Sequence, residues 1–322
     1  EQFGPYQHRQ VRIVEFPAYR LFAQSFPTMI PFSEGAGFLA RMDSRDELDM
    51  VFNRTAHEVA HQWWAHQVVG ADVQGATLMS ESLSEYTALM VMEREYGAEL
   101  MGRFLRYELD GYLRGRGQEA NQEQPLAQVE DQTYIHYNKG CLVMYALKDY
   151  IGEEVLNRTL AHYVEQCAYQ EPPYTNSTEF LSILREATPD SLAYLLEDMF
   201  TTITLFSNRV AQATYTPIEN GRFAVQLDLE AHKLRADGTG VETEVALHDW
   251  IDVGIFGEHE VDGKQEPKVL YLKKHQFSTT KTTLEFTVSE CPIRAGIDPY
   301  NKLIDRDADD NVRTVVSNDR AS

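Results

Sequence analysis

Residues 53–64 read NRTAHEVAHQWW, and this stretch decides how the rest of the chain is read. His57 and His61 are four residues apart in a helical stretch, so their side chains lie about 6 Å apart along the axis on one face. Two imidazoles so placed can grip one metal ion. Glu58 is rotated by about 100° from His57 and points beside the metal, where a carboxylate can take a proton from water. This is the H-E-x-x-H arrangement of zinc peptidases. Taken alone it fixes only three residues, and an ordinary amphipathic helix with exposed histidines also matches it.

A catalytic zinc needs a third protein ligand besides water, and a His/His/Glu set is one known solution. Residues 80–97, SESLSEYTALMVMEREYG, offer it on the next candidate helix. Glu81, Ser84, Glu85 and Ala88 share one face there, with small residues that allow close approach to the first helix. Glu81 is the expected ligand. Glu85, one turn behind it, is the expected outer carboxylate that orients a ligand histidine through its ring N–H. One Zn2+ per chain is therefore expected.

On the N-terminal side, residues 9–40 alternate β-prone runs (VRIVEF, RLFAQSF) with Pro17, Pro27, Pro31, Gly35 and Gly37, which predicts strands and tight turns. From about 45 to 206 the pattern is helical. It predicts helices at Asp49–Val68, Met79–Tyr96, Tyr137–Tyr150, Glu153–Cys167, Ser177–Ala187 and from Pro189 to about Thr201. After about residue 208, FAVQLDLEA, ETEVALHDW, KVLYLKK and TTLEFTV read as strands, with ENG, ADGTG and VDGKQEP as turns between them. A small antiparallel β-sandwich is expected there.

The bulk numbers narrow the function further. With 322 residues, 43% hydrophobic and 25% charged, the chain suits two folded domains and neither disorder nor a repeat. A formal charge of −21 argues against nucleic acid as a partner, since phosphate neutralisation needs an excess of Lys and Arg. The longest apolar runs, such as ALMVM at 88–92, fall far short of the roughly 18 residues that cross a bilayer. A soluble domain is expected. The first sixteen residues have no basic start, apolar stretch or small-residue cleavage site, so no signal peptide is expected there. Cys141, Cys167 and Cys291 are odd in number and unpatterned, and read as buried thiols.

Taken in order, HEVAHQWW, the ES-L-S-EY helix and YNKGCLVMYAL (residues 137–147) resemble the aminopeptidase N family of gluzincin metallopeptidases, which includes the bifunctional leukotriene hydrolases. The resemblance begins at FGPY (3–6), runs to about Asn208 and extends into the β region. It implies an α+β fold, with a thermolysin-like, mainly helical catalytic domain over residues 1–208 and a β-sandwich over 209–322. It also implies a peptide substrate and a role for Tyr137, the tyrosine directly before x-K-G, as hydrogen-bond donor to the tetrahedral intermediate. Tyr134 is its nearest competitor. A phenol can serve in this way without titrating at neutral pH.

Two departures from the family pattern matter. The family places eighteen residues between the second histidine and the glutamate ligand; here Ser80 holds that place and Glu81 comes one later. A one-residue insertion in a loop near Gly70 or Gly75 would absorb the difference, whereas Glu85 as ligand would need four. The family's Gly-x-Met-Glu-Asn signature is replaced by PFSEGAGF (31–38). Aligning SEG with Met-Glu-Asn leaves Glu34 where the resemblance implies a substrate amine-binding glutamate; a solvated turn residue is the other reading. This variant signature, the longer spacer and DPYNKLIDRDADDN (298–311) look most like the peptidase-like domains attached to bacterial ABC-transporter permeases, which implies a membrane-embedded permease region upstream.

The expectation is zinc-dependent peptide hydrolysis of aminopeptidase type, with Glu58 as general base and Tyr137 as oxyanion stabiliser. A non-catalytic or regulatory metal-bearing peptide-binding module of a transporter is the alternative. Glu58 argues against it, because binding alone needs no base beside the metal.

Overall fold

A computed structural model describes residues 2–41, 47–261 and 264–318. The chain forms two compact units, Glu1–Ile203 and Thr204–Ser322, so the expected boundary after Asn208 falls inside a strand.

Unit 1 opens with β1 (Arg12–Phe16) and β2 (Met29–Ser33), which pair in parallel. The run RLFAQSF forms no strand of its own and contributes only isolated bridges, Ala23 with Phe32 and Phe26 with Met29. The helices follow: α1 (Met50–Ala60), α2 (Leu83–Tyr96), α3 (Ala98–Gln118), α4 (Gly140–Ile151), α5 (Glu153–Cys167), α6 (Ser177–Ala187) and the short α7 (Tyr194–Leu196). Three π-helical turns, Leu78–Ser82, Tyr134–Lys139 and Glu197–Thr201, precede α2, precede α4 and follow α7. Their core gathers Trp64, Leu83, Tyr86, Leu147, Leu160 and Phe180, all fully buried. Truncating a buried aromatic such as Trp64 costs about 3–5 kcal/mol.

Local chemistry explains the helix ends. Asp49 caps α1 by accepting from Phe52 N–H at 2.8 Å, and Asn176 caps α6 by accepting from Thr178 and Glu179 N–H. Gly97 and Gly152 end α2 and α4 at φ 83° and 93°. α1 stops at Ala60 instead of running on to Val68. Ala65 takes φ 105° and its N–H bonds Val68 C=O at 2.9 Å, closing a tight turn that a helix cannot contain. α3 lies outside the helices that the sequence pattern predicts.

Unit 2 holds β3 (Ile203–Pro217), β4 (Phe223–Ala236), β5 (Glu242–Val245), β6 (Asp249–Val261), β7 (Lys264–Phe277), β8 (Lys281–Val288), β9 (Arg294–Ile297), β10 (Val312–Thr314) and β11 (Val316–Ser317). One sheet has the order β10-β9-β6-β7 and the other β11-β3-β4-β5, with β8 also paired to β4. Val210, Leu227 and Leu229 from one sheet and Ile251, Val253 and Ile297 from the other share one buried core, the packing of a β-sandwich. β11 runs parallel to β3, so the sandwich is not wholly antiparallel. The ENG turn carries positive φ at Asn220 and Gly221, as a tight hairpin demands. ETEVALHDW is two strands, broken between Val245 and Asp249, and the Asp262-Gly263 turn lies outside the described residues. Cys141 and Cys167 are buried free thiols, whereas Cys291, expected to be buried, is exposed. No described helix is long and apolar enough to cross a membrane.

Candidate active site

α1 packs against α2, and Asn53, His57 and His61 fall at successive four-residue steps along the buried side of α1 and its C-cap. His57 Nε2 and His61 Nε2 are 3.0 Å apart, and Glu81 Oε2 lies 3.2 Å from the first and 3.3 Å from the second. Ligand bonds of about 2.0–2.1 Å in a tetrahedron put neighbouring ligand atoms about 3.3 Å apart, so the triangle has the size that one zinc ion demands. Glu81 Oε2 is buried with no hydrogen-bond partner among the described residues, which is the state of an atom reserved for an ion. Among the described residues, His57, His61 and Glu81 form the only His/Cys/Asp/Glu group close enough to hold a metal.

The other ring nitrogens are held from behind. His57 Nδ1 is 2.6 Å from Glu85 Oε2, and Asn53 Nδ2 donates to the other oxygen of that carboxylate at 3.4 Å. His61 Nδ1 sits 2.9 Å from Trp64 C=O and 3.0 Å from Ser84 Oγ. A proton on each Nδ1 leaves both Nε2 lone pairs facing the common point. The early end of α1 therefore has a local consequence, because it brings the Trp64 carbonyl back under His61.

Electrostatics agrees with a cation at this point. Burial opposes charge on His57, but the Glu85 charge and contacts with Glu81 and Glu85 push its pKa up to about 10. Burial would raise the Glu81 carboxyl, yet the adjacent imidazoles of His57 and His61 hold it well below the usual carboxylate range. Surroundings that favour a proton here favour a metal ion in its place. Glu58 is buried, and burial raises its pKa.

Both remaining actors of the site stand in π-helical turns. Glu81 is in Leu78–Ser82 and Tyr137 in Tyr134–Lys139. A π turn takes up one residue more than an α turn, so the helix itself offers room for the extra residue that was expected in a loop near Gly70 or Gly75. The Tyr137 ring lies 5.7 Å from that of His57. Burial, then the charges of Glu81, Glu58 and Glu85, push its pKa up, so the phenol keeps its proton. Tyr134 lies beside Tyr112, with ring centroids 5.9 Å apart, and against Gly115. Glu34 follows β2, and its Oε2 accepts from Ala18 N–H at 3.2 Å; among the described residues no hydrogen bond joins it to His57, His61 or Glu81.

A family model described as the peptidase family M1 domain matches residues 2–199. The chain belongs to peptidase family M1. Probable aminopeptidase 1 of Sulfurisphaera tokodaii is 22% identical over 204 residues, 61% of this chain and 25% of that protein. The chain thus spans about a quarter of that relative's length. Two solved structures from Deinococcus radiodurans are also similar. An M1 zinc metallopeptidase is 20% identical with a TM-score of 0.46, covering 62% of this chain and 41% of that one. A mutant of an M1 zinc metallopeptidase bound to the substrate Tyr-Ser-Ala is 19% identical with a TM-score of 0.47 over the same shares.

Sequence reading missed two polar residues near this M1 site, Glu108 on α3 and Asn138 beside Tyr137. Asn138 Nδ2 donates to Glu108 Oε2 at 2.6 Å. A partial signal exists in the helical spacing of Met101, Phe104, Leu105, Leu109 and Tyr112, whose apolar stripe Glu108 interrupts, but the glycines of α3 obscure it.

Proposed function

We propose that this chain hydrolyses peptide bonds with one zinc ion held by His57, His61 and Glu81, with Glu58 as general base and Tyr137 as oxyanion donor. The observation that carries this is the 3.0 to 3.3 Å triangle of two imidazole nitrogens and one otherwise unbonded carboxylate oxygen. When bound, zinc supplies a Lewis acid that acidifies water and polarises a carbonyl.

The protein's own groups do the rest. Glu85 and the Trp64 carbonyl fix the two imidazoles in the tautomer that presents Nε2. Glu58, next to His57 on the same helix, takes a proton from the attacking water and returns it to the leaving amine. Burial makes its carboxylate more basic than an exposed one, which strengthens the proton uptake. Tyr137, kept protonated by burial and three nearby carboxylates, donates to the oxygen that gains charge.

In this reading the enzyme is an aminopeptidase, the name carried by the Sulfurisphaera relative, and Glu34 receives the substrate's free amine. A thermolysin-like arrangement of residues 1–208 and a kinship with permease-attached peptidase-like domains belong to the same reading. The kinship rests on PFSEGAGF, the nineteen-residue spacer and DPYNKLIDRDADDN. The test is metal analysis of the purified chain together with a panel of aminoacyl anilides and internally quenched peptides. One zinc per chain and cleavage that is lost on chelation and restored by zinc are expected. A chain that takes up no zinc, or that cleaves equally well without it, would sink the proposal.

A further inference from the structure

Glu108 has no part in the mechanism just described, yet it sits 4% exposed in the middle of an apolar helix face. Its neighbours on α3, Phe104, Leu105, Leu109 and Tyr112, are buried hydrophobic residues. A carboxyl group in such surroundings costs stability that a leucine would not, so a partner must account for it. That partner is Asn138, whose Nδ2 donates to Glu108 Oε2 at 2.6 Å. One turn further along α3, a Cβ added at Gly111 would fall 2.6 Å from the same Asn138 nitrogen. The Asn138 amide therefore lies on bare helix backbone, in a slot that Gly111 opens beside Glu108.

Asn138 directly follows Tyr137 in the π-helical turn Tyr134–Lys139. On the other side of Tyr137, the His136 carbonyl accepts from Ser82 Oγ at 2.6 Å. Tyr137 is thus flanked by two pinned residues. The pinning matters because a π turn is an unusual state of the backbone, and relaxing it by one residue into an α-helical register would swing the phenol by about 100°.

We infer that Glu108 is a positioning residue for Tyr137, acting by holding Asn138 against α3 and so fixing the turn that aims the phenol. The inference rests on the reading of Tyr137 as oxyanion donor. Burial, with the Glu85 charge added, pushes the Glu108 carboxyl pKa up and so favours its neutral form, which glutamine mimics while keeping the acceptor oxygen.

The test uses the zinc-loaded full chain, with alanyl para-nitroanilide and an internally quenched peptide as substrates. Glu108→Leu and Gly111→Ala are each expected to lower kcat about 10-fold or more, with KM and zinc content little changed, as a misaimed group does. Glu108→Gln is expected to stay within about two-fold of native. Gly111→Ala keeps the buried carboxyl and gains helix propensity, so it reads the effect even if Glu108→Leu folds poorly. In a Tyr137→Phe background, Glu108→Leu should cost nothing further, because both changes remove one contribution. Amide hydrogen exchange over residues 134–139 should quicken in Glu108→Leu independently of activity. Native kcat in Glu108→Leu and Gly111→Ala beside a Tyr137→Phe that is impaired would overturn the inference alone. So would losses that multiply in the double variant, or a fall in zinc content, which would route the effect through Glu85 and His57. A Tyr137→Phe variant with native kcat would overturn the reading of Tyr137 and, with it, the inference.

Discussion

Ser82 Oγ donates a 2.6 Å hydrogen bond to the His136 carbonyl, joining the π-helical turn that carries Glu81 to the one that carries Tyr137. A metal-ligand candidate and an oxyanion-donor candidate from distant parts of the chain are thereby held in one frame. Gly140 makes the approach possible, since a Cβ there would fall 2.2 Å from Ser82 Oγ.

Ser82→Ala should lower unfolding stability by about 1–3 kcal/mol, the cost of leaving a buried carbonyl unpaired. Gly140→Ala should cost more, because its methyl has nowhere to go. Denaturant unfolding measures both. Equal stability of native and Ser82→Ala protein would mean that the hydrogen bond does not hold the two turns together.

The metal-ligand set predicts separate outcomes for two glutamates. Glu81→Ala and His61→Ala should each remove most bound zinc, whereas Glu85→Ala should leave one site with affinity reduced about 10- to 100-fold, the usual cost of losing an outer partner. Competition with a chromophoric chelator distinguishes them. If Glu85→Ala emptied the site and Glu81→Ala did not, the ligand roles would have to be exchanged.

The histidine pair was legible because four-residue spacing in a helix needs no tertiary knowledge, and Glu81 because it opens the next helical face. Glu108 was not. α3 carries Gly102, Gly111, Gly115 and Gly117, which depress helix propensity, and two of them serve close packing: Gly111 against Asn138 and Gly115 against Tyr134. The end of α1 was hidden for the opposite reason, as no Gly or Pro marks it and Ala65 adopts positive φ only under tertiary packing. In unit 2 the alternation of β4 and β8 was open to reading, while the start of β3, buried continuously from Ile203 to Phe206, reads equally well as the tail of a helix. π turns leave no composition signal at all, so the place that can take up the extra residue before Glu81 could not be read in advance.

Glu58→Gln should keep its zinc and lose nearly all hydrolysis, because an amide cannot accept the proton from water. Zinc content and kcat measured on one preparation check this. Undiminished turnover would mean that another group is the base.

Unit 2 predicts a pH dependence of stability. Asp298, fully buried, is pushed up to about 8 by burial although Leu303 and Lys302 N–H groups favour its charge, and burial lifts Asp305 to about 6. Both folded values exceed the ordinary aspartate value of 3.8, so the folded state binds more protons over this range. Their stabilising contribution is complete below about pH 4 and is lost as pH rises towards 8. Asp298→Asn removes the larger effect, and asparagine tolerates the φ of 43° found there. The melting temperature of the native chain should therefore decline more steeply between pH 5 and pH 8 than that of Asp298→Asn. Parallel profiles would show that Asp298 ionises normally.

Whether the enzyme trims from the amino terminus turns on Glu34. This carboxylate stands directly after β2, about as far before His57 as the family's amine-binding glutamate stands before its first histidine. Its Oε2 is engaged by Ala18 N–H at 3.2 Å, a bond that fixes the side chain. A held carboxylate is a good receptor for an α-ammonium group, since little ordering remains to be done when the charge-assisted hydrogen bond forms. If Glu34 takes that role, acetylating the substrate's N-terminus should abolish cleavage by the native protein. Glu34→Ala should then weaken the preference for free amines by raising KM more than it lowers kcat. Cleavage rates of paired free and acetylated peptides provide the measurement. Equal rates on the two by the native protein would remove the aminopeptidase assignment and return Glu34 to a turn residue, while leaving the zinc hydrolase standing.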